Sequence, residues 1–159
     1  MDEEKKQHLE FIQNVITRMN TNSFQIKGMA VTIVSALLAI YASTNNIIFV
    51  FLGIAPTFLF WFLDSYYLQQ ERKFRGVYNN VAGLKNNVEI KPYEMPIQKF
   101  EGGRYCFSKV FFSKTIAWLY GTIVFLLLIG GLILKFKDCI TITCKEYGKE
   151  NFYFIQILR

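Results

Sequence analysis

Two long stretches of this chain carry no charged side chain. Residues 28–63 and 115–134 lack Asp, Glu, Lys and Arg, whereas charged residues are frequent in the segments that flank them. A helix needs about 20 apolar residues to cross the hydrocarbon core of a bilayer. The pattern therefore predicts an all-α membrane protein, and the first stretch is long enough for two helices.

The first stretch is divided by four polar residues, the sequence STNN at positions 43–46. Such a cluster between two apolar runs marks a turn. We therefore predict a transmembrane helical hairpin over residues 24–67, with the Lys27 side chain snorkelling at its start and the second helix beginning near Ile47. Residues 115–134 are predicted to form a third transmembrane helix.

The N-terminal segment, residues 1–23, has the spacing of an amphipathic helix. Its apolar side chains recur every three or four residues, at Leu9, Ile12, Ile16 and Met19. The sequence NTNS at positions 20–23 is expected to interrupt this helix, with Asn22 or Ser23 capping the first membrane helix. We therefore expect two separate helices before the turn.

The second membrane helix is predicted to continue into water. Pro56 is expected to kink it, and Gly83 is the expected stop. A helix over residues 47–82 would be about 54 Å long, far more than the roughly 30 Å of a bilayer core. We predict that the extension packs on the N-terminal helix, within a region of helix and loop at residues 68–114.

The C-terminal tail, residues 135–159, alternates Thr and Ile before Gly148 and is rich in aromatic residues after it. This pattern is typical of strands and predicts a possible small β-hairpin. In a strand, Cys139 and Cys144 would lie about 16 Å apart, beyond the roughly 7 Å that a disulfide spans. We therefore expect free thiols.

The chain has a net charge of +6, and its 18 Lys and Arg residues are unevenly distributed. Most of these residues lie in segments 1–27 and 64–114, and none lies in the hairpin turn. Positive residues concentrate on the cytoplasmic side of membrane proteins, so we expect the N-terminus and the long loop in the cytoplasm. Membrane lipid, and not nucleic acid, is the predicted partner, because no basic stripe with stacking aromatics stands out.

Sequence motifs of catalysis are not found. The chain has no phosphate-binding glycine loop and no HExxH, and its single histidine, His8, is distant in sequence from the three cysteines. We therefore predict a protein that is not an enzyme, with no catalytic residues, no cofactor and no metal site.

Small residues follow one face of the first membrane helix. They are Gly28, Thr32, Ser35, Ala36 and Ala39. In lipid, small side chains let helices approach closely. We interpret this small-residue stripe as a packing surface for a homo-oligomer, and the alternative is a weakly polar pore lining made by Thr32 and Ser35.

Four polar residues at the boundary of the second helix are candidate interface or pore-mouth residues, namely Asp64, Glu71, Arg72 and Arg75. Asp64 would snorkel to the membrane interface or pair with Arg72 or Lys73 of an adjacent chain, and the functional alternative is that it attracts cations at a pore mouth of an oligomer. Glu71 and Arg75 are four residues apart and can pair. Arg72 and Arg75 would form either a solvated face or a ligand-binding cluster.

The sequences HLEFIQNVITRMNTNSFQIKG and PTFLFWFLDSYYLQQERKFR, within residues 8–83, resemble a recurring family of small bacterial inner-membrane proteins. The plan of the chain is also similar to membrane effector modules of antiviral defence systems, whose oligomers perturb the host's own membrane. We therefore expect a multi-pass inner-membrane protein that acts as an oligomeric, channel-like or membrane-perturbing effector under control of a cytoplasmic signal or protein. The alternative is a membrane scaffold that recruits a soluble cytoplasmic partner.

Overall fold

The computed structural model describes residues 3–85 and 88–157, and from residue 138 onward it describes the backbone only. The chain forms helices α1 (Glu3–Thr44), α2 (Ile48–Leu52), α3 (Ile54–Val81), α4 (Phe107–Phe111) and α5 (Lys114–Ile157), with short 3-10 helices at Ile97–Lys99 and Gly103–Tyr105. Three segments are long and apolar enough to cross a membrane: α1, α2 with α3, and the part of α5 up to Lys137. The predicted helical class with three such segments is confirmed.

Helix α1 runs without a break from Glu3 to Thr44. The predicted interruption at residues 20–23 is wrong, because the polar side chains there do not cap a helix. The Thr21 hydroxyl donates to the carbonyl one turn earlier at 3.0 Å, and the Ser23 hydroxyl donates to Asp64 on α3. The N-terminal segment and the first apolar segment therefore form one rod, about 63 Å long at 1.5 Å per residue.

The predicted turn at residues 43–46 is confirmed. Asn45 adopts a positive φ of 53°, which asparagine tolerates better than most residues. The side-chain oxygen of Asn46 then accepts a hydrogen bond from the backbone N–H of Ile48 at 3.1 Å. The chain reverses here, and α3 returns along α1 in the most extensive helix–helix contact of the described residues.

The second apolar helix is interrupted at Gly53 and not at Pro56. Pro56 lies in the first turn of α3, where its missing N–H is not needed. The Gly53 carbonyl accepts a hydrogen bond from the Thr57 hydroxyl at 2.7 Å, and a Cβ at Gly53 would lie 3.3 Å from Leu127 of α5. The interruption therefore lies where α5 packs against this segment.

The apolar segments of α1, α2, α3 and α5 form a thin bundle with two small buried clusters. One contains Val34, Val50 and Leu127, and the other contains Ala30, Ile116 and Tyr120. Large apolar side chains remain exposed around the bundle, among them Leu59, Phe125 and Ile133, each at least 60% exposed. Soluble monomers rarely expose so much contiguous apolar surface, whereas a lipid environment accommodates it.

Beyond the apolar bundle, residues 3–23, 68–81 and 88–106 pack together into a unit that we call the cap. Its core consists of Ile12, Ile16, Val77 and Phe100, with Phe74, Tyr78 and Val81 partly buried against them. The prediction that the extension of the second helix packs on the N-terminal helix is confirmed. Gly83, with a φ of 79°, follows the end of α3 as predicted.

The loop of the cap is held to α3 by side-chain donors. Gln69 donates to the Tyr105 carbonyl at 2.9 Å, and Arg72 donates to the Arg104 carbonyl at 3.3 Å. Because these donors come from one helix, the loop is fixed along the outer side of α3.

The possible C-terminal β-hairpin is not confirmed. The described residues contain no strand, and residues 138–157 continue α5 as a helix. A helix satisfies its backbone hydrogen bonds within one segment, whereas an isolated two-stranded hairpin is only marginally stable. The side chains of Cys139 and Cys144 lie outside the described residues, while Cys106 is a free, exposed cysteine.

Replacing Gly76 by alanine is expected to destabilise the cap. A Cβ at this position would lie 2.6 Å from the Phe100 ring and 2.8 Å from the Tyr105 hydroxyl, so both rings must move. Overpacking of this kind costs about 1–3 kcal/mol. Hydrogen exchange of the cap amides in detergent micelles should therefore accelerate in Gly76→Ala.

The matched control is Gly121→Ala on α5, where no atom lies within 4 Å of the added Cβ. This change should leave exchange unaltered or slow it, because alanine favours a helix by up to about 1 kcal/mol. Equal exchange in the Gly76→Ala variant and the unmodified protein would contradict the predicted packing of Phe100 on α3.

Candidate functional site

Lys27 and Asp64 are the two charged residues that border the charge-free stretch of residues 28–63, and the hairpin brings them together. The Lys27 Nζ lies 2.8 Å from Asp64 Oδ2 and 2.9 Å from Oδ1. The Asp64 side chain is completely buried, and that of Lys27 is 26% exposed. The carboxylate is therefore withdrawn from solvent and neutralised by one ammonium group of the same chain.

Ser23 lies one helical turn before Lys27 on α1 and is hydrogen-bonded to both members of the ion pair. Its hydroxyl donates to Asp64 Oδ1 at 2.5 Å and accepts a hydrogen bond from Lys27 Nζ at 2.6 Å. Residues four apart lie on the same face of a helix, so α1 presents both groups to α3. A buried charge requires such pairing and hydrogen bonding, since isolated burial costs several kcal/mol.

Helix α5 contributes Tyr120 to the same place. Its side chain is completely buried and its hydroxyl lies beside Asp64. Neither this hydroxyl nor Asp64 Oδ2 has a hydrogen bond of regular geometry, although Oδ2 has the ion pair with Lys27. We call Ser23, Lys27, Asp64 and Tyr120 the polar junction, because they join all three long helices.

Trp61 of α3 contacts the polar junction through Tyr120. Its ring stacks on Phe111 of α4, with centroids 4.6 Å apart, and on Tyr120 of α5, with centroids 6.1 Å apart. The indole N–H donates to the Phe111 carbonyl at 3.1 Å. Trp61 thereby holds α4 and the start of α5 against α3.

The position of Asp64 within one chain differs from what its place in the sequence indicates. The sequence pattern places Asp64 on the surface of α3, whereas the facing helix α1 covers it and its carboxylate pairs with Lys27 of the same chain. Pairing with an adjacent chain and a role at the pore mouth of an oligomer stay predictions.

The other boundary residues stabilise the cap. Arg75 donates from Nε to Glu71 Oε1 at 2.8 Å, as predicted from their spacing, and the Glu71 side chain is only 8% exposed. Arg72 is bound to the loop through the Arg104 carbonyl. The structure therefore assigns these three residues to contacts within the chain.

The small-residue stripe lies on the opposite face of α1 from the contacts with α3. Its five members, Gly28, Thr32, Ser35, Ala36 and Ala39, are all exposed. The face that packs inside the chain carries Ser23, Ile26, Ala30 and Val34. The Thr32 hydroxyl donates to the Gly28 carbonyl at 2.9 Å, and Ser35 is exposed on the same stripe.

The polar junction is not evident from the sequence pattern. The pattern predicts a helix cap at Ser23 and a membrane-surface position for Lys27, and it does not single out Tyr120. One available signal was symmetry: Lys27 and Asp64 lie almost equally far in sequence from Asn45 at the turn. In a hairpin of two straight helices, that spacing places the two charges at the same level.

Within the described residues, no three His, Cys, Asp or Glu side chains come together as a candidate metal site. A scan against protein-family models gave no match, and neither the curated proteins nor the solved structures compared with the chain match it. Functional inference therefore rests on the polar junction, the cap and the exposed surfaces.

Replacing Lys27 by methionine is expected to destabilise the packing of the three helices, because it leaves the Asp64 carboxylate buried without a cation. Breaking one partner of a buried ion pair costs about 3–5 kcal/mol. Denaturation of the purified protein by SDS should therefore occur at a lower SDS fraction, and a second change, Asp64→Leu, should restore much of the loss.

Lys6→Met is the matched control, since Lys6 and Glu3 form an exposed pair at 3.7 Å. Exposed pairs contribute about 0–1 kcal/mol, so this variant should denature nearly as the unmodified protein does. Similar denaturation of Lys27→Met and Lys6→Met would argue against a stabilising ion pair at the polar junction.

Proposed function

We propose that this chain is a non-enzymatic, homo-oligomeric protein of the bacterial inner membrane, which perturbs the membrane as a channel-like effector when its cap receives a signal. The observation that carries the proposal is the continuity of α1 and α3 between the cap and the apolar bundle. Both helices take part in the cap core and in the polar junction. A change in the cap therefore has a direct mechanical route into the membrane segments.

The route begins where Ile12 and Ile16 of α1 pack on Val77 of α3. An α-helix is a stiff element, so a rotation or shift of one helix against the other in the cap reaches Lys27 and Asp64 with little loss. If α1 slides along α3 by one helical turn, Lys27 and Asp64 move about 5.4 Å apart. Signal reception in the cap and helix rearrangement in the bundle are thus coupled through the polar junction.

Permeation in this proposal requires several copies of the chain. Within the described bundle the buried positions are mainly apolar, and the buried Thr57 hydroxyl is satisfied by the Gly53 carbonyl. One chain therefore supports no continuous polar path. The exposed small-residue stripe supports assembly, because small side chains are what membrane helices use for close contact.

The distribution of basic residues supports a cytoplasmic position for the cap. A cytoplasmic cap suits a protein that responds to events inside the cell. The similarity in plan to membrane effector modules of antiviral defence systems supports the same setting here, with the cell's own membrane as the target.

A membrane scaffold is the second candidate function. Phe11 is 60% exposed on the outer face of the cap and lines a shallow groove with Asn14, Val15 and Arg18. An exposed aromatic residue beside an arginine suits an amphipathic helix of a soluble partner with acidic residues. In this version the apolar bundle is only an anchor.

At high density in liposomes, where association of the copies is favoured without a signal, the purified protein is expected to release an entrapped fluorescent dye, and Ala36→Leu is expected to reduce the release. The larger side chain interferes with close packing at the small-residue stripe, at a cost of about 1–3 kcal/mol per contact. Association should weaken roughly five- to 150-fold. Release and cross-linking between copies should fall together.

Val31→Leu is the matched control, because Val31 is exposed on α1 about a quarter turn away from the stripe. It should preserve both dye release and cross-linking. An intact barrier at high protein density would contradict the effector, and capture of a soluble partner that is lost in Phe11→Ala would then favour the scaffold.

The proposed orientation predicts the accessibility of Cys106. In a variant with Cys139→Ser and Cys144→Ser, Cys106 is the only remaining thiol, and it is exposed. A membrane-impermeant maleimide should modify it in inside-out vesicles and not in right-side-out vesicles. Modification in right-side-out vesicles alone would reverse the proposed topology.

A further inference from the structure

A cavity of about 290 Å³ lies at the end of the cap that is farthest from the polar junction along α1. Three segments surround it: the start of α1, the end of α3 and the loop that follows α3. The lining residues are Glu4, Lys5, His8, Asn80, Val81, Ile90 and Pro92. Ligand pockets begin at about 300 Å³, so the cavity has room for one small molecule.

His8 is a buried polar residue that the packing of the cap does not satisfy. Its side chain is only 2% exposed, and among the described residues its Nε2 has no hydrogen-bond partner. The neighbouring Tyr93, with ring centroids 5.9 Å away, donates its hydroxyl hydrogen bond to Gln7 instead. A buried polar atom left unpaired is unfavourable, and His8 is one of the residues that line the cavity.

The cavity lining contains one lysine, Lys5, whose ammonium group is able to pair with an anionic partner. Lys5 has no ion pair among the described residues, whereas the adjacent Lys6 is paired with Glu3. Lys5 and His8 also lie in the first two turns of α1, where the helix macrodipole attracts negative charge. Glu4 is one carboxylate on the same lining, available to accept a hydrogen bond from a hydroxyl or amide of the bound molecule.

The other residues that line the cavity indicate the chemistry of the rest of the bound molecule. Val81, Ile90 and Pro92 form an apolar wall. The side chain of Asn80 is engaged with the Gly76 carbonyl and the Val88 N–H. His8 precedes Lys27 by about 28 Å along α1, so this end of the cap is far from the level of the apolar bundle. The expected molecule is therefore soluble and not a lipid headgroup.

We propose that this cavity binds a small soluble organic anion. Its carboxylate or phosphate is held by Lys5 and by the Nε2–H of His8, and its apolar part contacts Val81, Ile90 and Pro92. Because the cavity is built from α1, α3 and the loop, the bound molecule holds these segments together at the end of the cap.

The test uses the single histidine of the chain as a reporter. The full-length protein, labelled with ¹⁵N in the histidine ring, is studied by NMR in detergent micelles at constant pH and ionic strength. The probes are isobutyrate and isopropyl phosphate, with uncharged isobutyramide as the size-matched control. The Nε2 signal is expected to shift saturably with at least one anion and not with isobutyramide.

Two variants determine whether the shift reports this site. Lys5→Gln should weaken anion binding roughly tenfold or more, because it removes a charge-assisted hydrogen bond. Lys6→Gln, which changes a lysine outside the cavity lining, should leave binding within about twofold. Both positions are exposed, so neither change removes buried packing.

Three results would overturn the proposal: no saturable shift with either anion, an equal shift with isobutyramide, or equal weakening by Lys5→Gln and Lys6→Gln. The binding proposal does not depend on membrane perturbation. Binding is measured at His8 and permeability is measured by dye release, so either proposal can fail while the other stands.

Discussion

The ion pair between Lys27 and Asp64 sets the register of the whole molecule. The carboxylate is completely buried, and its cation and the Ser23 hydroxyl both come from α1. A slide of α1 along α3 by one turn would separate these groups by about 5.4 Å and leave a charge buried without a partner. Apolar contacts alone tolerate such a slide, because one aliphatic side chain replaces another at modest cost. The pair therefore specifies one alignment of the hairpin.

The arrangement of the cap follows from that alignment. With the register fixed, Ile12 and Ile16 lie opposite Val77, and Gly76 leaves room for the ring of Phe100. The hairpin and the cap share the same two helices and form the most extensive contacts of the described chain, whereas α5 packs on them less extensively. The chain thus combines a rigid two-helix rod with a third helix that is held less firmly.

Local patterns in the sequence were sufficient to predict much of this fold. The turn at residues 43–46, the stop near Gly83, the buried face of the N-terminal helix and the Glu71–Arg75 pair each depend on residues that are near one another in sequence. The failed predictions depend on distant partners. Ser23 has the propensity of a helix cap, but a hydrogen bond to Asp64, 41 residues away, determines its role. The burial of His8 depends on the loop that carries Tyr93, which has no periodic signal.

The polar junction has the energetic balance that the proposed function requires. Displacing α5 would remove the stacking of Tyr120 on Trp61, about 0.5–1.5 kcal/mol, and the burial of Ile116, about 1.5–3 kcal/mol. The same movement would admit water to Asp64, which recovers part of the desolvation cost of the ion pair. The Tyr120 hydroxyl and the ion pair of Asp64 Oδ2 with Lys27 both lie at this contact between α3 and α5. Opposing contributions of a few kcal/mol are of the size that ligand binding or helix association supplies, so α5 is the helix through which the proposed signal would act.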